Sequence, residues 1–206
     1  MKERSNQIVY VVWLAIVASL GGFLFGYDTA VISGTVDQVS LQFHLDDITK
    51  GWYVGCALVG SIAGVMVAGS LSDKFGRKIV LLLSAVLFSI SGIGCMVAGN
   101  EVQLVIARIL GGIGIGVASV ISPLYIAEVS VPSFRGRLVS MYQLAITVGF
   151  LGAYLANYGL HQYSVTLLEK GATTGLYNKI FGSEVWRGML GMESLPAILF
   201  FIVLFL

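Results

Sequence analysis

Long apolar runs alternate with short polar clusters along the whole chain, and the runs recur at nearly regular intervals. They are Ile8 to Ser33, Gly51 to Ser72, Ile79 to Asn100, Gln103 to Ala127, Leu138 to Leu160 and Gly188 to Leu206. Each is close to the ~20 residues with which a helix crosses a bilayer. Six membrane helices are the expectation, because lipid offers nothing to the unpaired backbone of an open sheet edge. Gly26, Gly64, Gly92 and Gly116 sit inside these runs. Small residues there let neighbouring membrane helices approach closely. The first run is too long for the apolar core of a signal peptide and lacks a small-residue cleavage site, so it is expected to remain as a helix.

Composition points the same way. Hydrophobic residues make up 57% of the chain and charged residues 11%, against roughly 25% charged in ordinary soluble domains. The net charge of +1 leaves no basic surplus for phosphate, so nucleic acid is not an expected partner. Cys56 and Cys95 lie far apart within apolar runs, which suits packing better than a disulfide or a metal site. "GGIGIGV", Gly111 to Val117, lacks the spacing of a dinucleotide loop and continues an apolar helix. His44 and His161 have no clustered ligands, and no Ser, His and acid arrangement stands out. The reading is therefore not an enzyme.

Orientation follows from positive residues in the short loops. With the N-terminus inside, the cytoplasmic side carries Lys2, Arg4, Lys74, Arg77, Lys78, Arg135 and Arg137, and the outer side Lys50, Lys170 and Lys179. Both termini are then cytoplasmic. The polar stretch from Gly159 to Val185, with "EKGATTG" at its centre, becomes an external surface loop.

Asp28 breaks the first apolar run near its end, in "GGFLFGYDTAVISG". An intramembrane carboxylate is a functional candidate by default. At 1.5 Å per residue, Asp28 on an outward helix, Arg108 on an inward one and Glu193 in the sixth segment all fall in the outer third of the bilayer. A paired set facing a central cavity is one reading. A fixed structural ion pair between Asp28 and Arg108 is the other.

The inner loops hold a second constellation. "GSLSDKFGRK" and "EVSVPSFRGRL" each place an acid at the end of one helix and two bases before the next: Asp73 with Arg77 and Lys78, and Glu128 with Arg135 and Arg137. Such charges can tie helix ends together as a gate, whereas plain topology signalling would account for the bases alone. The likeness of the two loops suggests a three-plus-three inverted repeat.

"GGFLFGYDTAVISG", "DKFGRK", "RILGGIGIG", "SPLYIAEVS", "RGRLVSMYQLA" and "WRGMLG", in this order, resemble the sugar porter family of the major facilitator superfamily. The chain looks most similar to the bacterial proton-linked pentose and hexose symporters. The resemblance implies an all-α membrane protein of twelve helices, of which these 206 residues would be the N-terminal half, the C-terminal half being its missing partner. It implies a multi-pass protein of a bacterial plasma membrane, moving a small sugar by alternating access, with a proton as coupling ion and no other cofactor. Asp28 becomes the proton-coupling carboxylate and Arg108 its partner, with Glu193 in the same layer. An aspartate beside an arginine is held ionised, and one left in an apolar wall takes up a proton. Gln143 matches a glutamine that binds sugar hydroxyls, and Phe25 an aromatic that borders the sugar. Asp73, Arg77, Glu128, Arg135 and Arg137 match the cytoplasmic gate. Phe150 departs from the xylose symporters, which have a glutamine there, and leaves the sugar open. An uncoupled facilitator of the same family and a non-transporting sensor or fragment are the alternatives.

Overall fold

The computed structural model describes residues 2–169 and 175–205, with side chains from Tyr10 onward. Lys170 and the middle of the polar loop, the final Leu206, and the Lys2 and Arg4 side chains lie outside the described residues. Among those described, the elements are helices only: α1 (Lys2–Phe43), α2 (Asp47–Phe75), α3 (Arg77–Val97), α4 (Glu101–Val129), α5 (Arg135–Glu169), a single turn α6 (Leu176–Asn178), a π-helical turn (Lys179–Ser183), α7 (Val185–Gly191) and α8 (Ser194–Phe205). Six stretches are long and apolar enough to cross a membrane, with α7 and α8 forming the sixth together.

Capping chemistry sets the helix starts. Asp46 accepts from the Thr49 amide at 3.0 Å and opens α2. Asn100 accepts from Gln103 at 2.9 Å while the Gln103 side chain accepts from Gly99 at 2.8 Å, a reciprocal cap on α4. Gly76, with φ of 85°, makes the left-handed link between α2 and α3 that a side chain would strain.

Two departures from the hydropathy reading stand out. Helix α1 continues to Phe43 and α5 to Glu169, well past their apolar runs, so much of the expected loop after Gly159 is helical. Once a spanning helix exists, each added residue brings its own hydrogen bond and needs no new nucleus. The last segment, by contrast, is broken at Met192 and Glu193. Pro196 has no N–H to offer the Met192 carbonyl, so the ladder cannot run through. The Leu195 amide takes that carbonyl instead, at 3.2 Å.

Packing is organised by two seams of backbone contact. On α2 and α4, a methyl on Gly60 or Gly64 would strike the carbonyl of Ile109 or Ile113, and one on Gly112 or Gly116 the carbonyl of Ala57 or Ser61. On α1 and α5 the same reciprocity joins Gly22 and Gly26 to Tyr142 and Ile146, and Gly149 to Phe23. Exchanging α1 with α4 and α5 with α2 maps one seam onto the other, the internal symmetry of a three-plus-three arrangement. Helix α4 is the most buried of the spans, whereas α2 and α5 present Leu58, Ile62, Met66, Leu144, Leu151 and Leu155 outward. Apolar faces of this extent fit lipid or another helical body, not water. Tyr10, Lys78, Tyr125 and Leu204 line one cavity, which places the start of α1 and the end of α8 at the same face.

Candidate functional site

The buried ionisable residues gather where α1, α2, α3 and α4 meet the break between α7 and α8. The small-residue seams bring the helix axes close enough for side chains of moderate length to touch across them. Asp28 on α1 and Arg108 on α4 are 4% and 3% exposed. Arg108 Nη1 stands 3.6 Å from Asp28 Oδ1, an ion pair slightly too long for a hydrogen bond. Glu193, 2% exposed, lies within charge range of both. It occupies the helix break created before Pro196, between α7 and α8. The three residues singled out for matching depth are therefore brought together.

The site is under-satisfied. Arg108 Nε, Glu193 Oε1 and Tyr27 Oη are buried and without a hydrogen-bond partner among the described residues. Tyr53 of α2 completes the surroundings. Its ring centroid is 5.6 Å from the Arg108 guanidinium carbon, and its hydroxyl shares a 2.9 Å hydrogen bond with Thr35. Cys56 and Cys95 are free and buried nearby, interacting with the Arg108 charge.

The sugar candidates are placed differently from one another. Gln143 is exposed on α5, with its side chain making no hydrogen bond among the described residues. Phe25 is half-buried, packed against two apolar clusters, and Phe150 is likewise half-buried.

At the opposite face, Arg77 joins two loops. Its Nη1 donates to Asp73 at 2.8 Å, and its Nη2 and Nε donate to Glu128 at 3.1 and 3.2 Å. The end of α2, the start of α3 and the end of α4 are tied by this one guanidinium. Arg135 and Arg137 have no ion pair among the described residues, and Arg137 instead lies 5.8 Å from the Phe134 ring. The two loops thus differ in contacts despite their similar sequences. Tyr53, Thr35 and Arg187 carry interactions that hydropathy reading passed over; an aromatic or a threonine in an apolar run gives no signal of its own.

Six apolar spans, four of them joined in pairs by glycine seams and with ionisable groups sealed between them, define a multi-pass helical membrane protein. The sugar (and other) transporter family model matches residues 14–206, and the chain belongs to that family. It is 42% identical to a glucose transport protein of Synechocystis sp. over 99% of its length, and 37% identical to an arabinose-proton symporter of Bacillus subtilis over 98%. It spans less than half the length of these relatives, 42% and 41% respectively. A solved structure of the proton:xylose symporter XylE, of the major facilitator superfamily, superposes with a TM-score of 0.84 at 37% identity, covering 97% of this chain and 45% of that one. The chain has the fold of the N-terminal six helices of a major facilitator protein.

Proposed function

We propose that this chain is the N-terminal half of a proton-coupled sugar symporter. The observation that carries the reading is the sealed Asp28 and Arg108 pair, with Glu193 beside it. The two groups stand 3.6 Å apart and sealed from water, so the energy of the pair depends steeply on their separation. Moving the cation off leaves the carboxyl in an apolar wall, where it binds a proton. Coupling then needs no separate device, because any rocking that changes this distance changes proton occupancy. Relatives named as proton symporters support the ion, and those named for glucose, arabinose and xylose support a monosaccharide. Gln143 and Phe25 would meet the sugar from this side, with a second six-helix half closing the site. Arg77, held by Asp73 and Glu128, would lock the inner face when the outer face is open, with Arg135 and Arg137 at the same end. Uphill movement of sugar by six helices alone is not expected, since alternating access needs a counterpart to rock against.

The test uses a two-half carrier containing this chain, in vesicles with an imposed pH difference. Asp28→Asn keeps size and hydrogen bonding but removes titration. Uphill accumulation is expected to disappear while sugar binding and equilibrium exchange continue. An Asp28→Asn carrier that still concentrates sugar would reduce Asp28 to a structural partner of Arg108 and transfer the proton role to Glu193.

A further inference from the structure

We infer that Tyr53 is a positioning residue for Arg108: its ring face is the second seat of the guanidinium, held ready by Thr35, and it sets how readily Asp28 gives up its counter-charge. The inference rests on the coupling reading above and adds a component to it.

The geometry comes first. Arg108 touches Asp28 at 3.6 Å on one side and looks onto the Tyr53 ring at 5.6 Å on another. Both distances are within interaction range, and neither is at its closest. Tyr53 is 2% exposed, so its ring is dry and its attraction for a cation is unscreened by water. The ring is not free to turn away, because its hydroxyl is fixed by Thr35 at 2.9 Å. Thr35 belongs to α1, two helical turns beyond Asp28. The helix that supplies the carboxylate therefore also anchors the alternative.

The need for such a seat follows from charge. When Asp28 is protonated, Arg108 stays cationic in a site 3% exposed, and its Nε has no hydrogen-bond partner among the described residues. The other groups facing it are the thiols of Cys56 on α2 and Cys95 on α3, and Glu193 at the break between α7 and α8. Thiols are weak acceptors, and the Glu193 carboxyl is already hydrogen-bonded to Asp28. A fixed π face nearby lets the guanidinium stay in place with its charge partly met, so protonation of Asp28 need not expel it. Without that face, Arg108 depends on the Asp28 carboxylate more heavily, and Asp28 should hold on to its charge down to lower pH.

The experiment reads the protonated-carboxyl infrared band of the 206-residue chain in lipid nanodiscs as a function of pH, with Asp28→Asn identifying which part of the band is Asp28. Position 53 carries Tyr, Phe, a series of increasingly ring-fluorinated phenylalanines, and Leu. Fluorination empties the π face at nearly constant shape, so the series remains informative if Tyr53→Leu does not fold. The Phe variant keeps the ring but loses the Thr35 tether, so it should titrate between the wild type and Leu, and it is the reference for the fluorinated series. Increasing fluorination should move the Asp28 band progressively toward acid, by up to roughly one pH unit. A fluorinated series that superimposes on Phe, while Asp28→Asn still removes the band, overturns the role of Tyr53 alone. Absence of any band sensitive to Asp28→Asn overturns the coupling reading, and this inference with it.

Discussion

Arg187 is a second buried arginine, but its partners are of another kind from those of Arg108. It donates to the Met96 carbonyl at 3.1 Å and to the Ala98 carbonyl, pairs with Glu184, and lies 4.3 Å from the Trp186 ring centroid. The two carbonyls belong to the end of α3, where helical acceptors have no amide left to bind and a cation is favoured. Every group it touches is satisfied in place, which suits a rivet and not a switch. Arg187→Leu should lower stability by roughly 2–3 kcal/mol through stranded buried acceptors, read as a shift in denaturation midpoint in detergent. Glu184 beside it adds a pH dependence. Burial raises its carboxyl, but hydrogen bonds from Arg187 and Gln42 and the charges of Arg187 and Lys179 outweigh this and leave it below the ordinary carboxylate range. A depressed carboxylate stabilises the fold above its unfolded value and loses that contribution as pH falls through the folded one. Melting curves of the wild type should therefore weaken on acidification more than those of Glu184→Gln; equal slopes would show that this carboxylate contributes nothing.

At the scale of the helix, the seams make sharply different predictions for glycines that look alike in sequence. Gly60→Ala or Gly149→Ala drives a methyl into a facing carbonyl that cannot move aside, so each should lower thermal stability by roughly 1–3 kcal/mol. Gly55 and Gly69 face open space, and alanine there should be neutral or gain up to ~1 kcal/mol. Equal effects at all four positions would contradict the seams. Hydropathy made the six spans legible, since apolar length is nearly sufficient evidence for a membrane helix. It also made Asp28, Arg108 and Glu193 legible, because charge is so rare at that depth. Which helices pair was not legible, as a glycine announces a close approach without naming its neighbour. The break before Pro196 was written in the chain but hidden by unbroken apolarity on either side. Tyr53 stayed invisible because its partner is a residue far along the chain, and Arg135 and Arg137 looked like Arg77 because loop composition does not say which side chains reach.

For the molecule as a whole, the Arg77 network is a state-dependent tie if it forms only when the inner face is closed. In a two-half carrier, Arg77→Ala and Glu128→Ala should both raise cysteine labelling from the cytoplasmic side and reduce uptake, as a shift of population requires. Unchanged labelling in both variants would leave these residues as topology signals. The seams have a further consequence, and it concerns the ribosome. Helix α1 pairs with α5 and its Asp28 with α4, so α1, made before both and tied to α2 by Thr35 and Tyr53, finds its closest packing only after α5 has been synthesised. Domains ordinarily assemble from the N-terminus as they emerge. Here Asp28 must wait in or beside the insertion channel until Arg108 arrives, and the nascent helix is exposed to membrane quality control for that interval. An arrest-peptide force profile should show, as α4 enters the bilayer, a pull beyond that of its apolar insertion, and Asp28→Asn should remove that excess; a profile indifferent to Asp28 would mean that α1 settles without its counter-charge.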